Sequence, residues 1–171
     1  MADPVYDLTI TNATLATHET SEQVDIAITD GRIAALGGVS AGQGRDHIDA
    51  TGLTVLPGVI DTQVHFREPG IEHKEDLQSG SLAAVMGGVT GVFEMPNTKP
   101  PTTTAEAVDD KVARATNRMH CDFAFYVGGT HENAAQLPEL EKMTGVCGVK
   151  VFMGSSLSLI HISEPTRPLY I

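Results

Sequence analysis

Pro57-Gly58-Val59-Ile60-Asp61-Thr62-Gln63-Val64-His65-Phe66-Arg67-Glu68-Pro69-Gly70 is the stretch that decides the fold. It opens apolar, turns to alternating polar and apolar residues, and closes on a Pro-Gly turn. It reads as a strand that delivers side chains to a site at its end. A period of two puts Val59, Asp61, Gln63, His65 and Arg67 on one face and Ile60, Thr62, Val64 and Phe66 on the other. A carboxylate, a carboxamide, an imidazole and a guanidinium in one row are costly to bury without partners. A strand end lying in water is the plainer alternative, and the apolar lead-in argues against it.

Downstream, strands alternate with helices, the texture of a parallel α/β sheet or barrel. Strands are expected near 58–66, 89–95, 121–127 and 146–153, with helices near 74–86, 104–119 and 131–143. Gly87-Gly88 marks the end of the first helix, and Thr104, followed by Glu106, caps the second. Upstream, residues 5–55 read as short strands near 5–15, 24–29, 32–36 and 47–55. Asp30-Gly31 is a type I′ hairpin signal between two of them.

Bulk properties narrow the function classes. The chain has 171 residues, 41% hydrophobic and 19% charged, with no Trp, so its core rests on aliphatic side chains. A net charge of −11 argues against a nucleic-acid surface. No apolar run approaches a membrane span and no basic-then-apolar leader is present, so a cytoplasmic location with no membrane partner is expected. Cys121 and Cys147 lack a CxxC partner and read as free thiols.

The segment Asp61 to Gly70 resembles the first barrel strand of the cyclic amidohydrolases, and most closely dihydroorotase. Glu94-Met95-Pro96-Asn97-Thr98 and Gly148-Val149-Lys150-Val151-Phe152-Met153-Gly154-Ser155-Ser156 follow in family order, and Asp7-Leu8-Thr9-Ile10, Asp30-Gly31-Arg32-Ile33 and Ile48-Asp49-Ala50-Thr51-Gly52 precede them. The resemblance implies an α/β metal-dependent-hydrolase TIM barrel, represented by about four of its βα units. Part of a small β-sandwich would precede it: residues 1–55 sandwich, 56–156 barrel. It implies an N-terminal fragment whose full-length protein hydrolyses the cyclic amide of dihydroorotate to carbamoyl aspartate. One or two Zn²⁺ ions would serve as cofactor, and the general-base Asp and two further His ligands would lie beyond Ser156.

Site roles follow from the same resemblance. His65 matches a metal-ligating histidine. Lys150 matches a lysine that relatives carboxylate to bridge metals; its alternative is a lysine whose stem runs out to water. Gln63 stands where the family has the first histidine of its metal pair, and a carboxamide oxygen is a weak ligand beside imidazole. Arg67 and Asn97 match residues that hold the substrate carboxylate. The plainer roles are an ion pair of Arg67 with Glu68 or Glu72, and turn chemistry for Asn97. Asp61 is expected to orient His65 or Arg67 from behind. Gln63 also opens a different class, a non-catalytic homologue supporting aspartate transcarbamoylase; a homo-oligomer, or another cyclic amidase such as allantoinase or dihydropyrimidinase, are further readings.

Leu157-Ser158-Leu159-Ile160-His161-Ile162-Ser163-Glu164-Pro165-Thr166-Arg167 departs abruptly from that pattern. It resembles the translation of a transposase adapter used in preparing sequencing libraries. Residues 157–171 are therefore expected to be a non-native tail, which removes His161 and Ser163 from the candidates.

Overall fold

A computed structural model of the chain describes residues 5–153, 155–156 and 159–160. The backbone divides into two compact units, Met1–Pro57 and Gly58–Ile171. Most of the expected tail lies outside the described residues; Leu159–Ile160 pairs antiparallel with Ser155–Ser156.

The first unit is a five-stranded sheet of β1 (Tyr6–Ala16), β2 (Ser21–Thr29), β3 (Arg32–Leu36), β4 (Gly44–Asp49) and β5 (Thr54–Val55). Its order is β3-β2-β1-β4, with β5 also pairing β1. Asp30 and Gly31 both take positive φ, 51° and 71°, as a type I′ turn between β2 and β3 demands. The single strand expected over 47–55 is interrupted. Leu53 N donates to Ala50 O at 2.9 Å across a turn in which Gly52 has φ of 78°, so β4 and β5 meet β1 separately. Ala13, Ile26, Ala27, Val39 and Ala50 are buried in this unit.

The second unit is built from β6 (Val59–Val64), α1 (Leu77–Met86), β7 (Val89–Glu94), α2 (Ala105–Ala115), β8 (Asp122–Gly128), α3 (Leu137–Leu140) and β9 (Val146–Lys150), with β10 (Ser155–Ser156) and β11 (Leu159–Ile160) after them. Strands β6-β7-β8-β9 form a parallel sheet in chain order. The core joins Phe66, Leu77, Val92, Ala115 and Phe125, and a second cluster holds Val108, Val127 and Leu140. Strand β6 forms one edge, and Ile60 on it is 57% exposed.

Local chemistry sets the helix bounds. Helix α1 starts three residues later than expected, because Asp76 accepts Ser79 N at 2.7 Å as N-cap. Thr104 caps α2 by accepting Ala107 N at 3.3 Å, and Asn117 at φ 60° lies just past its end. The third helix shrinks from the expected 131–143 to one turn. Asn133 is buried and its side chain binds Thr130 N, Thr103 O and Gly128 O, which commits the preceding residues to a turn rather than a helix. No helix among the described residues is long and apolar enough to cross a membrane.

Candidate active site

In a parallel βα sheet, side chains with chemistry gather at the carboxyl ends of the strands. Here those ends are Val64, Glu94, Gly128 and Lys150. The ladder between β6 and β7 is irregular at this end: Asp61 faces Val92 and Val64 faces Glu94, so β6 advances three residues while β7 advances two. An extra residue of this kind interrupts strict alternation. The common face expected for Asp61, Gln63, His65 and Arg67 is broken there. Asp61 and Gln63 are exposed, and the Asp61 carboxylate accepts the Gln63 backbone N–H at 3.0 Å.

His65 follows the strand and is half-buried. Its Nδ1 lies 2.9 Å from Asn97 Oδ1, and Asn97 is only 8% exposed at the end of β7. With the amide oxygen as acceptor, Nδ1 is the donor of this bond. The partner that meets the His65 ring is thus Asn97.

Arg67 is half-buried beside this pair in sequence, and neither neighbouring carboxylate takes it. Glu72 accepts Gly70 N at 2.8 Å. Glu68 is buried and accepts Arg118 Nη1 and Nη2 at 2.8 and 3.1 Å, Arg114 Nη1 at 3.4 Å, and the Leu77 backbone N–H at 3.2 Å. Burial works against the Glu68 charge, but the bonds from Arg118 and Leu77 outweigh it and hold the carboxyl below the usual range. Among the described residues the Arg67 side chain makes no hydrogen bond or ion pair, while its backbone O accepts Ile71 N at 3.0 Å.

Lys150 stands at the last position of β9, half-buried rather than enclosed within the strand, because the ladder stops there. Its Nζ sits 5.4 Å from the centre of the Phe152 ring, a cation–π contact.

One feature escaped the sequence reading. Glu94 and Lys111 form an ion pair with Nζ–Oε2 at 2.8 Å, and both side chains are 1% exposed. Lys111 Nζ also donates to Met95 O at 3.3 Å and lies 5.2 Å from the Phe125 ring centre. Burial pushes the Glu94 carboxyl up to about 7 against the pull of Lys111, and burial draws Lys111 down. Among the described residues Glu94 Oε1 has no hydrogen-bond partner. The signal was present in outline: Lys111 occupies the stripe of α2 that carries Val108 and Ala115, where an apolar residue belongs.

His65 fits a metal by itself, since one ring nitrogen is held by an acceptor and the other is left for a cation. The set around it does not complete a centre. Among the described residues no three His, Cys, Asp or Glu side chains group together, whereas a catalytic zinc takes three protein ligands.

Residues 52–151 match the family described as Dihydro-orotase-like. An allantoinase of Rubrobacter xylanophilus is 43% identical over 136 residues, 79% of this chain and 30% of that protein. An allantoinase of Escherichia coli O1:K1 / APEC is 38% identical over 151 residues, 88% of this chain and 33% of that protein. Among solved structures, the L-hydantoinase (dihydropyrimidinase) of Arthrobacter aurescens aligns with a TM-score of 0.80 at 34% identity, covering 91% of this chain and 35% of the other. A D-hydantoinase of Bacillus sp. AR9 aligns with a TM-score of 0.77 at 28% identity, covering 91% and 35%. The chain thus spans about a third of the length of the relatives it matches.

Proposed function

Because the chain belongs to the dihydro-orotase-like family of metal-dependent cyclic amidohydrolases and carries their α/β barrel architecture in part, we propose that a protein of the relatives' full length containing it hydrolyses dihydroorotate to carbamoyl aspartate. The observation that carries the substrate choice is Arg67: a half-buried guanidinium at the end of the first barrel strand, with Glu68 and Glu72 both committed elsewhere. A planar fork of donors matches a ring carboxylate. Dihydroorotate has one; the neutral cyclic amides do not.

In this reading His65 and Lys150, the latter as a carbamate, are this chain's contribution to a metal centre, and Gln63, left exposed by the break in β6, is at most a weak neutral donor to it. Zinc is the metal we assign to it, on the strength of the His65 imidazole. A bound metal would activate water and polarise the ring carbonyl. The chain's own residues set the stage: Asn97 holds the His65 ring in one tautomer, and Arg67 orients the substrate by its carboxylate.

A second reading has its own support. The curated relatives cited above are allantoinases, and allantoin is the neutral cyclic amide to set beside dihydroorotate. Gln63 supports a third, a homologue that no longer catalyses and instead binds aspartate transcarbamoylase.

The test is hydrolysis of dihydroorotate, allantoin and hydantoin by the full-length protein with added Zn²⁺, beside Gln63→His. A kcat/KM highest for dihydroorotate, and lost on Arg67→Met, is the expected result. A preference for allantoin that survives Arg67→Met overturns the substrate choice. Silence toward all three unless Gln63→His is present overturns catalysis, and co-purification with aspartate transcarbamoylase would then support the scaffold.

A further inference from the structure

A buried ion pair is a poor stabiliser, because the desolvation of two charges consumes most of their attraction. The Glu94–Lys111 pair is therefore more informative for where it is than for any stability it adds. Its surroundings are the backbone that builds the candidate site. Lys111 Nζ donates to Met95 O at 3.3 Å, while the N–H of the same Met95 donates to Val64 O at 3.0 Å. Val64 is the residue before His65. Two residues beyond Met95 stands Asn97, whose Oδ1 meets His65 Nδ1 at 2.9 Å.

Met95 is thus gripped from both sides. One side is the strand that carries His65; the other is a cation reaching from α2. The turn after it is further held by Thr98 N and Thr102 N, each 3.0 Å from Pro96 O. Glu94 keeps the Lys111 ammonium in place beneath the turn at 2.8 Å, and the Phe125 face closes the other side at 5.2 Å. Both members are 1% exposed, so water does not substitute for either contact.

We propose that Lys111, held by Glu94, is a positioning residue for the site: it fixes the Met95 carbonyl and thereby the registration of Asn97 against His65. This deepens the proposed function and rests on its reading of His65 as a site residue. Neither Glu94 nor Lys111 reaches substrate; each acts through Met95 and Asn97.

The experiment reads the His65 ring in the intact chain with ¹⁵N-labelled imidazoles, the signal being identified by its loss in His65→Gln. Four forms are compared at one pH: unaltered, Asn97→Ala, Glu94→Gln, and Glu94→Gln with Lys111→Met. The unaltered chain is expected to show His65 protonated at Nδ1, and Asn97→Ala to lose that preference. Glu94→Gln alone keeps the donor to Met95 O and should keep the tautomer. The double variant removes that donor without leaving a buried charge, and its Nδ1–H population should fall by about half or more toward the Asn97→Ala value, with thermal unfolding still cooperative. A folded double variant with an unchanged His65 signal overturns the proposal. So does failure to fold of both this double variant and Glu94→Leu with Lys111→Met, because the pair would then be needed for the fold rather than for placement. Asn97→Ala without effect on the tautomer instead overturns the site reading on which the proposal rests, so the two failures are distinguishable.

Discussion

Arg118 reaches across fifty residues of chain to close a fork on Glu68, Nη1 to Oε1 at 2.8 Å and Nη2 to Oε2 at 3.1 Å. The carboxylate is 4% exposed and also accepts the first backbone N–H of α1, that of Leu77. One side chain thereby ties the loop after β6 to the start of α1 and to the region just past the end of α2. It also leaves Arg67, its neighbour in sequence, without a carboxylate partner among the described residues.

Arg118→Ala should therefore destabilise the second unit. Breaking a fully buried pair costs about 3–5 kcal/mol. Arg118 is 37% exposed and Arg114 remains nearby, so we expect about 2 kcal/mol. Urea unfolding of the variant beside the unaltered chain measures it, and a loss within experimental error would show that Arg114 alone suffices.

The pH dependence of stability should carry two opposite signs. Glu68 is held below its ordinary value in the folded chain, so its contribution is full above the unfolded value of 4.5 and fades as pH falls through the lower folded value. Glu94 is raised from 4.5 to about 7, so the folded chain binds more protons than the unfolded one across that window. From this group alone stability declines as pH rises from about 4.5 to 7, on the order of 2 kcal/mol, while Lys111, drawn down by the same burial, contributes with the opposite sign as pH rises through its folded value. Glu94→Gln should flatten that decline while leaving the acid limb intact. Unfolding free energies at pH 5 and pH 7 for both forms decide it.

Asn97→Ala in the full-length protein removes the acceptor that orients His65. Loss of such a supporting partner typically lowers metal affinity or activity about 10–100-fold. The fall should appear in kcat as well as KM, since ring orientation rather than substrate affinity alone is disturbed. Steady-state kinetics and metal titration together check this. A change confined to KM would place Asn97 on the substrate instead.

Gly80→Ala tests the packing under the site. A Cβ built at Gly80 would sit 2.6 Å from the Phe66 ring, which is part of the buried core beneath β6 and β7. Alanine is worth about 1 kcal/mol over glycine within a helix. The overpacking it causes costs about 1–3 kcal/mol, so net destabilisation is expected. Thermal unfolding gives the sign directly.

What was legible in the chain was whatever repeats locally. The alternation of strand and helix after Pro57, the Asp30-Gly31 hairpin, the Thr104 cap and the delivery of His65 and Arg67 to a strand end all follow from periods of two and 3.6 residues or from single turn residues. The third helix was misjudged because Asn133 answers to Thr103 O, thirty residues away, as well as to its own neighbours.

The sequence alone settled the parallel α/β architecture, the order of its main elements and the placing of His65 and Arg67 just past the end of a strand, since each is written in short-range pattern. Only the tertiary structure decided who partners whom at that end. The added residue in β6 that turns Asp61 back on Gln63 N, the Asn97 amide on His65, the Arg118 fork on Glu68 and the Lys111 grip on Met95 O all depend on register or on residues sixteen to fifty positions apart, apart from the local Asp61 contact. Pairings of that span leave no periodic trace along a single chain. They exist because a buried polar group must find a partner, and only the folded backbone determines which one lies within reach.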